Sequence, residues 1–300
     1  MPGPVFPFAG AVYNHRMHHL GADGWDRHLA TYATLFAPLT GYLARSMFTL
    51  TTARLPVSAR VLDVACGTGV LALAAGERAR AEAAGGGPGG EVLATDFSGG
   101  MVAATQAAIA AAGLGAHVRA EVHDGQALGL PDASFDAVYS SFGIFLFPDR
   151  EAGWREAARV LRPGGVFATA AWQGPATNPM LRTQLEPVGA ALPARLRRPQ
   201  RSWMDIAEPA ALVAEVTRCA PLVDARTFTL TATYAVPDWA LLWPAMRDNP
   251  VMGAVLAECT PDERAAVQAA VEARLRAEAG GRVGPLTMDA VCNVLVATRA

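Results

Sequence analysis

Val61-Leu-Asp-Val-Ala-Cys-Gly-Thr-Gly69 decides how this chain is read. An apolar run ends on the acidic Asp63, glycines follow at 67 and 69, and an Ala/Leu-rich stretch comes next. Strand, tight turn and helix in that order leave unpaired helix N–H groups and the positive end of a helix dipole at the turn. Gly67 and Gly69 permit both the turn and the close approach of a ligand to the backbone. A dinucleotide site would need G-x-G-x-x-G here. The register is instead Asp63-x-Ala65-x-Gly67-x-Gly69, with Val70 and Ala72 beyond, and that fingerprint fails.

Outward from this stretch, strands are predicted over 61–64, 91–95, 116–122 and 166–172, with a turn and the fourth strand together covering 133–140. Helices over 69–84, 99–112 and 151–161 separate them, with a Gly-rich loop over 85–90 and a turn at Arg162-Pro-Gly-Gly165. Such alternation argues for an α/β fold with a mostly parallel sheet covered on both faces. Residues 1–59 read as a helical cap, with Leu29, Tyr32, Leu35 and Phe36 at helical spacing and Pro38 dividing two helices. Strands over 226–235 and 287–298 enclose helices over 237–256 and 261–279, the second opened by the cap Thr260-Pro-Asp-Glu. The expected division is a cap over 1–59 and a domain over 60–300, with a helical insertion at about 237–280 that shapes a substrate pocket.

Composition narrows the function. Three hundred residues, 52% of them apolar, can bury a full-sized core. With 25 basic against 27 acidic residues there is no positive surplus for a phosphate backbone, which disfavours nucleic acid. The Arg-rich run over 195–201 reads as a solvated hinge or a contact for an anionic substrate. Cys66, Cys219, Cys259 and Cys292 are scattered, without the pairing of a disulfide or metal framework, so reduced thiols are expected. No signal-peptide pattern is seen, nor an apolar run near the ~20 residues of a membrane span. A soluble cytoplasmic protein is the expectation; oligomeric state has no signature here.

Three further positions carry chemistry. Asp96 follows the second predicted strand, where a carboxylate can accept both hydroxyl hydrogens of a ribose, at about 1.5–3 kcal/mol per charge-assisted bond. The long gap from Asp63 is absorbed by the 85–90 loop at little cost. Asp124 follows the third strand and can accept from an adenine amino group. Tyr139-Ser-Ser-Phe-Gly143 closes the fourth, at the strand ends where open α/β sheets bind ligands.

Together with Thr95-Asp-Phe-Ser98, Asp124-Gly-Gln-Ala-Leu-Gly-Leu-Pro131, Ser134-Phe-Asp-Ala-Val-Tyr139, Phe142-Gly-Ile-Phe145 and Arg159-Val-Leu-Arg-Pro-Gly-Gly165, the opening stretch resembles class I S-adenosylmethionine-dependent methyltransferases. The likeness is to the ubiquinone/menaquinone-biosynthesis branch and its small-molecule relatives, over about residues 60–172. It implies a Rossmann-like seven-stranded sheet with an antiparallel last strand, S-adenosylmethionine as cofactor and a small-molecule acceptor, apolar or aromatic. Asp63, Ala65, Gly67 and Gly69 would surround the methionine part, Asp96 with Phe97 and Met101 the ribose, Asp124 and Gly125 the adenine, and Ser140 the central part. Family members commonly carry glycine at the position of Ala65, and a negative φ there is expected to accommodate the methyl group.

The acceptor side is read more thinly. Four of the six histidines, His15, His18, His19 and His28, lie in the first thirty residues beside Tyr13 and Tyr32. The resemblance places the N-terminal segment over the active site, making His15 and Tyr13 the candidates for a general base and His18 and His19 substrate contacts. A zinc site at His15, His18 and His19 would lack a closing cysteine or carboxylate, so no metal is expected. Phe142, Phe145, Trp172, Trp239 and Trp243 are candidates for an acceptor pocket, with core packing as the other role open to each. The Asn-Pro-Pro-Tyr set of many amino-group methyltransferases is absent; Ser140-Ser-Phe-Gly143 stands there instead. A different reaction on the same cofactor, or a non-catalytic interaction protein of this fold, remain the alternatives.

Overall fold

The apolar runs of the chain assemble into one seven-stranded sheet in the order β3-β2-β1-β4-β5-β7-β6. The structure, a computed structural model, describes residues 21–197, 202–282 and 284–300. The strands are β1 (Arg60–Val64), β2 (Glu91–Asp96), β3 (Val118–Val122), β4 (Phe135–Ser141), β5 (Leu161–Trp172), β6 (Leu222–Val236) and β7 (Leu286–Arg299). The first five run parallel, and β7 lies antiparallel between β5 and β6. This is the Rossmann-like sheet with an antiparallel last strand that the resemblance implied. Its centre is deeply buried: Leu62, Val138, Phe167 and Leu295 are all at 0% exposure. Burial on both faces explains why these strands read as continuous apolar runs.

Helices α3 (Val70–Ala84), α4 (Gly99–Ala111) and α5 (Arg150–Val160) connect the parallel strands. Arg162-Pro-Gly-Gly165 is not a separate turn. It bulges out of β5 between the pairs Phe135–Leu161 and Ala137–Val166, so the strand begins before it.

Ahead of the sheet come α1 (Ala22–Thr31), a π-helical turn over Tyr32–Phe36, and α2 (Ala37–Thr51). Pro38 sits in the first turn of α2, where its missing N–H costs nothing, so the interruption falls one turn earlier than the proline suggested. The π turn inserts a residue into the helical repeat and thereby re-aims Tyr32 and Phe36. Between β5 and β6 lie α6 (Pro179–Ala191) and α7 (Pro209–Cys219), which the residue pattern did not indicate. Between β6 and β7 lie α8 (Leu242–Asp248), α9 (Pro250–Leu256) and α10 (Pro261–Glu278). The helix expected over 237–256 is split at Asn249, whose side chain caps α9 through the Val251 and Met252 N–H groups.

One buried ion pair fastens α5 to α7. Arg150 donates to both oxygens of Glu215, at 2.6 and 2.7 Å, and to the Ser202 carbonyl at 2.7 Å. The Trp154 indole adds a further donor to Glu215 at 3.1 Å. Removing one partner strands a buried charge, whereas removing both can be nearly neutral. Arg150→Met should therefore lower the unfolding free energy by about 3–5 kcal/mol in urea titrations. Combining it with Glu215→Leu should recover most of that loss; a single-variant cost below about 1 kcal/mol would contradict the assignment.

Candidate active site

A cavity of about 460 Å³ opens at the carboxyl ends of the parallel strands. Ala65 and Gly67 after β1, Asp96 closing β2, Asp124 and Gly125 after β3, and Ser141 to Gly143 at the end of β4 form its inner wall. Trp25, Tyr32 and Phe36 from the N-terminal helices, Met180, Leu181, Gln184 and Leu185 from α6, Trp203, and residues of α8 and α9 complete it.

Asp96 organises the inner wall. It is 7% exposed. Its carboxylate accepts the Gly67 N–H at 3.0 Å and the Ser98 N–H at 3.0 Å. Burial pushes its pKa up to about 6, against the pull of those N–H groups. Asp63 lies deeper, in an adjoining recess, where it accepts the Ala72 N–H at 3.2 Å. Burial raises its pKa to about 7. Tyr32 covers the glycine turn and shares a 3.0 Å hydrogen bond with Thr40. Burial raises its pKa as well, so the phenol stays protonated at neutral pH.

Helix α1 is held in place by Asp26, which accepts from the Gly100 N–H at 2.9 Å and from the Ser98 hydroxyl. Those two bonds, the hydroxyl first, lower the Asp26 pKa. Ser98 in turn caps α4 through the Met101 N–H at 3.0 Å. The latch brings Trp25 to the cavity beside Phe97 and Met101.

Ala65 departs from expectation. Its φ is +57°, the left-handed region that favours glycine, and not the negative value anticipated. Its methyl group is accommodated by Gly143, where an added Cβ would come within 2.5 Å of the Ala65 Cβ. Gly69 also has another task. It does not line the cavity, and a Cβ there would strike Thr105 at 2.6 Å, so it lets the turn ahead of α3 pass close to Thr105 of α4.

The far half of the cavity is aromatic. Phe142 stacks on Trp172 with ring centroids 4.0 Å apart, and Phe145 meets Phe142 and Trp203 edge to face. Trp239 and Trp243 are not part of this wall. Both are core residues at 5% and 4% exposure, and the Trp239 indole donates to the Arg282 carbonyl. Ser140 is likewise turned away: its hydroxyl accepts the Ile144 N–H at 3.1 Å, while Ser141 reaches the cavity. Successive strand residues face opposite sides, so a one-residue displacement exchanges their roles. His28 is buried between Trp25 and Phe36 and does not line the cavity; burial lowers its pKa. Tyr13, His15, His18 and His19 lie outside the described residues.

Residues 61–165 match a family model described as a methyltransferase domain. Nocamycin O-methyltransferase of Saccharothrix syringae is 34% identical over 241 residues, 76% of this chain and 80% of that protein. A demethylmenaquinone methyltransferase of Thermus thermophilus is 44% identical over 106 residues, 35% of this chain and 44% of its own length. The solved YcgJ protein of Bacillus subtilis shares the fold, with a TM-score of 0.53 at 16% identity over 86% of this chain and 99% of that one. The chain belongs to the class I S-adenosylmethionine-dependent methyltransferases. It is an enzyme, and its cofactor is S-adenosylmethionine. Among the described residues, no helix is long and apolar enough to cross a membrane.

Two consequences can be measured. Replacing Ala65 by glycine relieves a left-handed alanine and should raise stability by about 1 kcal/mol; a loss would contradict the strain. Asp63 and Asp96 ionise near 3.8 when unfolded but near 7 and 6 when folded. The folded protein thus holds more protons between those values, and these groups destabilise it increasingly as pH rises from about 4 to 7. A ligand that donates to the ionised carboxylates acts in the opposite sense. Affinity for S-adenosylhomocysteine, followed by calorimetry, should rise roughly tenfold or more from pH 5.5 to 7.5; a flat profile would contradict their part in binding.

Proposed function

We propose that this enzyme methylates a small, flat, aromatic or otherwise apolar molecule. The observation that carries this is the wall of Phe142, Trp172, Phe145 and Trp203, which adjoins the Asp96 end within one cavity. Aromatic side chains favour stacked and edge-on partners, worth about 0.5–1.5 kcal/mol each beyond area burial. Two of the relatives act, by their names, on nocamycin and on demethylmenaquinone.

The other end fits the cofactor. Asp96 is a buried carboxylate at the cavity surface, suited to ribose hydroxyls. Asp63 and the backbone of 65–67 would hold the methionine part, Phe97 and Met101 would flank the ribose, and Asp124 with Gly125 would meet the adenine edge. Ser141, which lines both the cavity and the recess around Asp63, adds a hydroxyl with no hydrogen-bond partner in the structure. When bound, S-adenosylmethionine supplies a methyl group already activated by its positive sulfur. The residues themselves then have to align the acceptor for in-line attack and keep water out, and alignment alone can supply up to about 7–11 kcal/mol of the barrier.

Proton removal is a separate question. Among the described residues lining the cavity, the carboxylates and imidazole are Asp96, Asp124 and His123, all on the donor side. His123 is engaged with the Leu128 carbonyl at 2.7 Å and with Glu121. A base at the acceptor would therefore come from the N-terminal segment, where Tyr13 and His15 are the proposed candidates and His18 and His19 proposed contacts; an acidic acceptor would need none.

A panel of small aromatic compounds incubated with methyl-labelled cofactor should yield labelled product and S-adenosylhomocysteine in equal amounts. Trp172→Ala should raise the acceptor KM about tenfold and leave S-adenosylhomocysteine affinity unchanged. Transfer only to non-aromatic polar compounds, or indifference to Trp172→Ala, would contradict the assignment.

A further inference from the structure

Helix α6 turns Met180, Leu181, Gln184 and Leu185 towards the cavity, spaced as one helical face. Gln184 is the polar member of this face. It is 6% exposed, and its amide nitrogen has no hydrogen-bond partner.

The other buried carboxamides among the described residues are satisfied. Gln173 donates to Asn293 at 2.8 Å and to Thr229 at 3.2 Å. Asn178 donates to the Val291 carbonyl and caps the start of α6. Asn293 donates to the Ala207 carbonyl at 2.7 Å. A buried amide left unpaired is destabilising, and a leucine or methionine would occupy this helical face without that penalty. Gln184 lines the same cavity as Phe142 and Trp172, and among the α6 residues there it alone can donate a hydrogen bond; its amide nitrogen is shielded from solvent, and a turn about the broad terminal torsion would present it to a ligand.

We infer that Gln184 is a specificity-determining residue that donates a hydrogen bond to a carbonyl oxygen on the acceptor. The inference rests on the proposed aromatic acceptor and narrows it to flat molecules in which a ring carries an oxo group. Stacking on Phe142 and Trp172 is indifferent to in-plane orientation; a single directed hydrogen bond from α6 fixes the rotation of the ring and so selects which atom faces the cofactor. A site built to pair with an oxygen discriminates against the analogue lacking it, because its own polar group is then left unpaired.

The test compares 1-tetralone with tetralin, the same bicycle without the oxygen, binding to the full-length enzyme saturated with S-adenosylhomocysteine. Tryptophan fluorescence gives both affinities for the wild type and for Gln184→Met. The ketone-to-hydrocarbon affinity ratio should fall roughly five- to tenfold in the variant. Without ligand, the same variant should melt roughly 2–4 °C higher, since the unpaired amide is gone. If both bicycles bind and the ratio does not move, Gln184 does not read an oxygen, while the aromatic acceptor stands. If neither binds, the aromatic acceptor itself fails and the inference with it. A variant that melts lower would show that the carboxamide has a structural partner, and would overturn the inference as well.

Discussion

The hydrogen bond from the Gly67 N–H to the Asp96 carboxylate, 3.0 Å long, is the contact on which the site depends. It ties the turn after β1 to the end of β2, two segments joined in sequence by a helix and a glycine-rich loop. Ser98 donates to the other oxygen and caps α4, and Asp26 reaches the same point from α1. A carboxylate is thus kept in a buried position by N–H groups already oriented by strand and helix ends. Burial outweighs them enough to bring its pKa to about 6, so the group is poised to gain from any further donor. The left-handed Ala65 belongs to the same construction, because the turn that aims Gly67 at Asp96 passes through it, and Gly143 of the neighbouring strand end yields the space.

The proposed acceptor half is built on a different principle. Its wall comes from strand-end aromatics, from α6, and from the helices between β6 and β7. Met180, Met246 and Met252 lie among these residues. Methionine fills irregular space adaptably, whereas the stacked Phe142–Trp172 pair is rigid. A fixed aromatic plane opposed by a deformable surface suits recognition of a flat molecule whose outline varies.

The sheet and its donor end were largely legible in the residues. The turn at 61–69, the acidic residue closing β2 and the alternation of strands with helices each follow from local periodicity and turn chemistry, and neighbouring parallel strands only had to pair in register. The errors have physical causes. Ser140 and Ser141 occupy opposite faces of β4, and no local pattern tells which is inward at a strand's last residue. The sign of φ at Ala65 is set by the room Gly143 leaves, a contact between residues far apart in sequence. Trp239 and Trp243 have the composition of pocket residues, but their burial, with Arg276 of α10 over the Trp239 ring, is decided by tertiary packing. Helices α6 and α7 leave no helical pattern in the residues, because prolines at 179, 187, 193 and 209 break up the apolar spacing. Gln184 carried no signal at all, since a lone glutamine in a sequence is ordinarily a surface residue.

The most direct measurement is equilibrium binding of S-adenosylhomocysteine to the wild type and to Asp96→Asn, with the far-ultraviolet circular dichroism of both recorded. The expected result is one site per chain in the wild type and a loss of tens-fold or more in the variant, with the fold preserved, because an amide keeps the shape but cannot accept two ribose hydroxyls as a carboxylate does. A folded Asp96→Asn protein that binds as tightly as the wild type would contradict the placement of the cofactor at this end of the cavity.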